Sequence, residues 1–227
     1  MKRKQIFLVS GALAIIALGA IAWALFGQQP TDLADAASVT SQPAETISKS
    51  EPHVLGNPSA KVTLIEYAAP RCPHCARFDM NVFPQVKSAY IDTGKVFYVF
   101  RVFPLNEDDG NAEKLASCLP KDQYFPFMDM LFHNQPKWDD EYGVMDVKGG
   151  LVQMARTAGM NEAQARACMA DTRPDSAINR TASDAEARYQ VNSTPTLVVN
   201  GKVVHAPPGA EWSFQSLAPI LDAAAKS

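Results

Sequence analysis

The chain has 227 residues, 47% of them apolar and 20% charged, and a formal net charge of −3. This is the composition of a globular protein with room for one domain of medium size; it excludes a disordered tail and a disulfide-dense mini-protein. The first 26 residues hold three of the 21 basic groups and none of the 24 acidic ones, so the rest is more acidic still and offers no basic face to a nucleic-acid partner.

The N-terminus reads Met1-Lys2-Arg3-Lys4 and then runs charge-free and mostly apolar from Ile6 to Phe26. As a helix this run would be roughly 31 Å long, close to the hydrocarbon thickness of a bilayer and longer than a cleavable apolar segment needs. Residues 1–26 therefore read as a signal anchor, with Lys2, Arg3 and Lys4 cytoplasmic and the body of the protein outside. A cleaved signal peptide is the alternative, because Ala20-Ile21-Ala22 and Ala22-Trp23-Ala24 offer small residues at suitable spacing. Residues 27–56, with Pro30, Pro43 and Pro52 among Ser, Thr, Ala and Gln, read as a linker. In an exported protein the four cysteines can form disulfides.

Strand patterns begin at Lys61 to Ala68, where Val62, Leu64, Ile65 and Tyr67 form a short β-branched and apolar run. Cys72-Pro73-His74-Cys75 follows at once, and Ala76 to Thr93 then repeats apolar residues at helical spacing, with a kink expected at Pro84. Val96 to Phe103 is a second strand, and strand, helix, strand begins a parallel α/β sheet. From residue 106 the period is helical for about eighty residues, in segments near Asn111–Cys118, Asp122–Asn134, Val147–Gly159, Asn161–Ala170 and Asp175–Tyr189; Asn161 and Gln164 are placed as a capping box. Thr196–Val199, the turn pair Asn200-Gly201 and Lys202–Val204 make a hairpin, and Ser213 to Lys226 a last amphipathic helix. The order is that of an α/β, thioredoxin-like fold with an inserted helical domain: residues 57–105 and 188–227 form the thioredoxin-like part and 106–187 the insertion.

Two cysteines three positions apart on the first turn of a helix share a face and can close a small disulfide ring. Cys72 stands at the helix N-terminus, where free N–H groups and the macrodipole favour a thiolate. Pro73 suits the first helical position, His74 is expected to add a donor beside the Cys72 sulfur, and Arg71 a cation on its other side. A thiol pKa at the bottom of the range of about 3.5 to 7.5 would stabilise the dithiol form at pH 7 by roughly 5 kcal/mol, on the order of 100 mV. The spacing alone also serves zinc sites and structural disulfides. Ser193-Thr194-Pro195-Thr196 before the late strand is either a plain turn proline or a cis proline that turns the Thr194 backbone towards a substrate segment.

Leu64-Ile65-Glu66-Tyr67 followed by Cys72-Pro73-His74-Cys75, the helical insertion, and Thr194-Pro195 before a hairpin together resemble the DsbA family of periplasmic thiol–disulfide oxidoreductases, over about residues 55 to 225. The resemblance implies that Cys72 is the exposed nucleophile, that Cys75 resolves the mixed disulfide and that Pro195 is cis. It implies a buried acid beneath Cys75 at Glu66, able to relay that thiol's proton, and a quinone-linked membrane oxidase of the DsbB type as recharging partner. Reduced or misoxidised exported proteins would be the substrates. Thr194 before the proline is a choice shared with isomerases and reductases of the family.

Cys118 and Cys168 lie on helical patterns inside the insertion and read as a structural disulfide, the alternative being two buried free thiols. Some relatives of the family carry such a bridge. His53, His133 and His205 share no ligand spacing with one another or with the cysteines, so neither a metal site nor a cofactor is implied. Tyr124, Phe125, Phe127, Phe132 and Trp138 read as core.

Overall fold

The structure, a computed structural model, describes residues 53–227. The segments read as anchor and as most of the linker lie outside the described residues. The last three linker residues do not: Val54–Gly56 form strand β1, antiparallel to β3 (Val96–Val102) through Val54 opposite Val99. Gly56 has φ 87°, and a Cβ there would stand 2.5 Å from the Val96 carbonyl, so only glycine lets this strand end close to its neighbour.

β2 (Val62–Ala68) pairs parallel with β3, and β4 (Thr196–Val199) pairs antiparallel with β2 on its other side. β5 (Lys202–Val204) closes the order β1-β3-β2-β4-β5 as the far edge. The β4–β5 turn places Asn200 and Gly201 at φ 47° and 77°, the positive values for which that pair was read as a hairpin. β2 is the middle strand, and its residues alternate between two layers. Leu64 packs with Tyr98 and Leu197 on one face, Ile65 with Val99 and Val198 on the other.

The predicted helix after the cysteines is broken into α1 (Pro73–Asn81), α2 (Phe83–Val86) and a π-helical turn, Lys87–Ile91. Pro84 cannot donate a backbone bond, and the break comes at Val82 just before it. The insertion holds α3 (Glu107–Cys118), α4 (Tyr124–His133), α5 (Gln135–Trp138), α6 (Val147–Thr157) and α7 (Glu162–Ala170). α3 starts one turn earlier than its apolar pattern, because Asn106 caps the N–H groups of Asp108 and Asp109 and the acidic first turn suits the helix dipole. The Asn161–Gln164 capping box opens α7. Trp138, Phe127, Leu115, Leu131 and Leu151 are buried between these helices, and Cys118 and Cys168 form a disulfide with Cα atoms 6.3 Å apart.

α8 (Asp175–Tyr189) corrects the predicted insertion boundary at 187. Its Ala182, Ala185 and Tyr189 pack on the sheet face formed by Ile65, Val99 and Val198, so the helix is a layer of the thioredoxin-like part. Small alanines on that side allow close approach, which helical periodicity alone does not reveal. α9 (Phe214–Lys226) covers the other layer through Leu217 and Leu221. Among the described residues, no helix is long and apolar enough to cross a membrane.

Candidate active site

β2 delivers the chain to the site. Its last residue, Ala68, accepts from the Phe103 N–H, and one tight turn later the Cys72 N–H bonds the Ala69 carbonyl. Cys72 is the N-cap of α1, extended at φ −69°, ψ 119°, with Pro73 in the first turn where no N–H is required. Its Sγ lies 3.4 Å from the Cys75 N–H, which donates to it. Cys72 and Cys75 are both buried free thiols, at 6% and 0% exposure, so the pair is in its dithiol form.

The two thiols differ in acidity. Cys72 is lowered to about 5: the hydrogen bond shared with the Cys75 thiol contributes most, the Thr194 side chain and the backbone N–H groups of Cys75 and His74 add to it, and burial works against it. Cys75 is raised well above an ordinary thiol, by burial first and then by Cys72 and Glu66. One sulfur is prepared to be a thiolate and leaving group, the other to hold its proton.

Thr194 and Pro195 arrive from the turn before β4, and the peptide between them is cis. The Thr194 carbonyl accepts from the Cys72 thiol at 3.3 Å. Its buried Oγ1 has no hydrogen-bond partner, which leaves a hydroxyl available to a charged sulfur. Glu66, on the central strand, is 2% exposed and accepts from the Tyr98 hydroxyl at 2.6 Å. Burial raises it to about 8 against the lowering effect of Tyr98, with Asp79 and Cys72 adding to the rise. At neutral pH this carboxyl therefore carries a proton, in electrostatic reach of Cys75.

Two expectations about charge are corrected. Arg71 does not present its guanidinium to Cys72. Its Nε donates to Asp139 at 2.9 Å, its Nη2 meets Asp139 at 2.7 Å and also Asp140, and its backbone N–H donates to Asp109 at 2.9 Å. Asp139 is fully buried at the end of α5, so the arginine is matched there and ties the active-site loop to the insertion. Gln135 completes that tie, its Nε2 donating to the carbonyls of Pro70 at 2.8 Å and Cys72 at 3.1 Å. The His74 ring, 60% exposed, lies 3.0 Å from Glu211 through Nδ1; what reaches Cys72 is the His74 backbone N–H. The basic side chain in the field of the Cys72 thiolate is Arg77.

Thr194, whose carbonyl accepts from the Cys72 thiol, also lines a cleft of about 990 Å³ together with His74, Phe78, Pro195, Val204 and Trp212 among others. Asp109, Asp139, Gln135, Arg77 and Glu211 were not singled out from the sequence; their partners lie 38 to 137 residues away in the chain. Ligand-type atoms of Asp79, Asp129 and His133 lie within 4.8 Å of one another across α1 and α4. His133 Nδ1 donates to the Asp129 carbonyl at 2.9 Å, which commits that nitrogen.

A family model described as Thioredoxin matches residues 48–217. The chain is 28% identical over 172 residues to a Rickettsia bellii protein named as a protein-disulfide oxidoreductase, covering 75% of this chain and 63% of that one. It is 26% identical over 158 residues to disulfide bond formation protein D of Bacillus subtilis, covering 66% and 68%. The chain spans 53–63% of the length of the five Rickettsia relatives it matches. The crystal structure of Wolbachia pipientis alpha-DsbA1 superposes with a TM-score of 0.66 at 28% identity, over 77% of this chain and 90% of that one.

Proposed function

The chain belongs to the thioredoxin family, and on that premise we propose that it is an exported thiol–disulfide oxidoreductase of the DsbA type that introduces disulfides into reduced or misoxidised exported proteins. The observation that carries this reading is the asymmetry of the pair: Cys72 lowered to about 5 at a helix N-terminus, Cys75 buried and raised. A dithiol state stabilised in this way gives up its disulfide readily.

In the forward cycle a substrate thiolate attacks Sγ of Cys72 in the oxidised pair. The Cys72–Cys75 bond breaks, a Cys72–substrate disulfide forms, and Cys75 leaves as a thiolate that takes up a proton from Glu66, which regains one of the two protons the substrate thiols released to solvent. A second substrate thiolate attacks the substrate sulfur and expels Cys72 as a stable thiolate. The substrate has then lost two electrons and two protons; the pair holds the electrons, Cys75 one proton and solvent the other. Reoxidation returns both electrons to an acceptor, which in this proposal is a DsbB-type membrane protein. Anchoring through residues 6–26 would hold the domain on the periplasmic side of the inner membrane, near that acceptor.

The test is the equilibrium of the Cys72/Cys75 couple with glutathione. Strong preference for the dithiol supports the oxidant. A potential as reducing as that of cytosolic thioredoxin would mark a reductase, and retained metal without thiol exchange a binding module.

A further inference from the structure

We propose that Glu211 is a positioning residue that sets how much positive charge α1 presents to Cys72, by holding His74 and Arg77 together on the loop between β5 and α9. The proposal rests on the thiol-exchange reading above. Glu211 receives Arg77 Nε on both carboxylate oxygens at 2.8 Å, lies 2.6 Å from Arg77 Nη2, and meets His74 Nδ1 at 3.0 Å. One carboxylate thus gathers both basic side chains of the helix that begins at Cys72.

The chemistry of the triad requires an anion at this place. Arg77 Nη2 also stands 2.8 Å from His74 Nδ1. A neutral imidazole can accept there from Arg77, but a protonated one would place two cations face to face unless Nδ1–H turns to a carboxylate. Glu211 serves both states. It is the only carboxylate lining the groove among the described residues, where His205 and Tyr189 are the other titratable groups besides His74; Arg77 further faces Cys72 and Tyr142. A turn from Pro207 to Ala210 with Gly209 at φ 73° precedes Glu211, and the Ser213–Ser216 cap of α9 follows it, so the carboxylate is held on both sides.

Charge bookkeeping gives the sign. With Glu211 ionised, Arg77, which interacts electrostatically with the Cys72 thiolate, is already matched; without it, Arg77, and His74 when protonated, are left to the thiolate. Glu211 therefore moderates the acidity of Cys72, and its loss makes the couple more oxidising.

The experiment uses the full chain and five proteins: wild type, Glu211→Gln, Glu211→Asp, His74→Ala/Arg77→Ala, and the triple variant. Cys72 is titrated by thiolate absorbance, and the pair is equilibrated with glutathione. Glu211→Gln is expected to lower the Cys72 pKa by about 0.3 to 0.5, the scale of an exposed ion pair, and to move the equilibrium about two- to threefold towards the dithiol. In the background without His74 and Arg77 the same substitution should have no such effect, and Glu211→Asp should restore part of the wild-type value. An unchanged or raised Cys72 pKa in Glu211→Gln, or an equal shift in the background lacking both bases, overturns the proposal. Failure of the wild type to exchange with glutathione would instead overturn the functional reading, while the absorbance titration still reports on Glu211.

Discussion

A Cys72 thiol lowered to about 5 beside a Cys75 thiol well above the ordinary value dictates how the couple responds to pH. Below about pH 5 the reduced pair keeps both protons, two electrons enter with two protons, and the midpoint falls by about 59 mV per pH unit. Above it Cys72 is a thiolate, one proton accompanies two electrons, and the slope halves to about 30 mV. The sign follows from the depressed pKa. The contribution to the dithiol state is lost as pH falls through about 5, grows from there upwards, and is complete above an ordinary thiol pKa near 8.5. At pH 7 about two units count, at most about 2.7 kcal/mol or roughly 60 mV, and solvent at the rim of the cleft screens part of it. This is about half of what the motif alone leads one to expect, because burial opposes ionisation and neither Arg71 nor the His74 ring faces the sulfur. Equilibration with glutathione from about pH 4 to 9, read by thiolate absorbance and by thiol trapping, measures the slope. A two-proton slope persisting through neutrality, with the break only near the ordinary thiol pKa, would refute the assignment of Cys72.

Cys75→Ser should accumulate mixed disulfides with protein substrates, all on Cys72, whereas Cys72→Ser should form none through the motif; gel mobility with peptide mapping decides it. Removing the Cys118–Cys168 bridge, whose cysteines are 50 positions apart, should cost up to roughly 4 kcal/mol in urea unfolding and leave catalysis in place, and lost catalysis at full stability would assign that pair to the redox cycle. Glu66→Gln should slow release and resolution at Cys75 by about tenfold or more in single turnovers, and should lower the Cys75 pKa because a like charge is gone. Thiolate titration showing Cys75 unmoved would contradict the coupling. Cell fractionation should place the whole chain with membranes; recovery only as a soluble form beginning after Ala22 or Ala24 would mean that residues 1–26 are removed.

Much of the scaffold was legible because its signals are local. The apolar run of β2, the helix opening at Cys72, the positive-φ pair Asn200-Gly201 and the Asn161–Gln164 box each lie within a few residues, and the chain folds there as the pattern indicates. What stayed hidden depends on long-range pairing. Nothing near Arg71 announces that Asp139, 68 residues on, will bind it, and nothing near His74 announces Glu211, 137 residues on. Strand β1 is three residues without alternation long enough to read, and α8 shows its sheet-facing side only through alanines. The lowered pKa of Cys72 does not depend on the side-chain charge of Arg71 or His74, for a physical reason. The groups that support the thiolate include the Cys75 thiol one helical turn away and the backbone N–H groups of His74 and Cys75, which any residue but proline at those positions would supply. The motif therefore carries most of its own acidity, first through the Cys75 thiol and further through the backbone N–H groups of its helix turn, and Thr194 adds to it from the turn before β4.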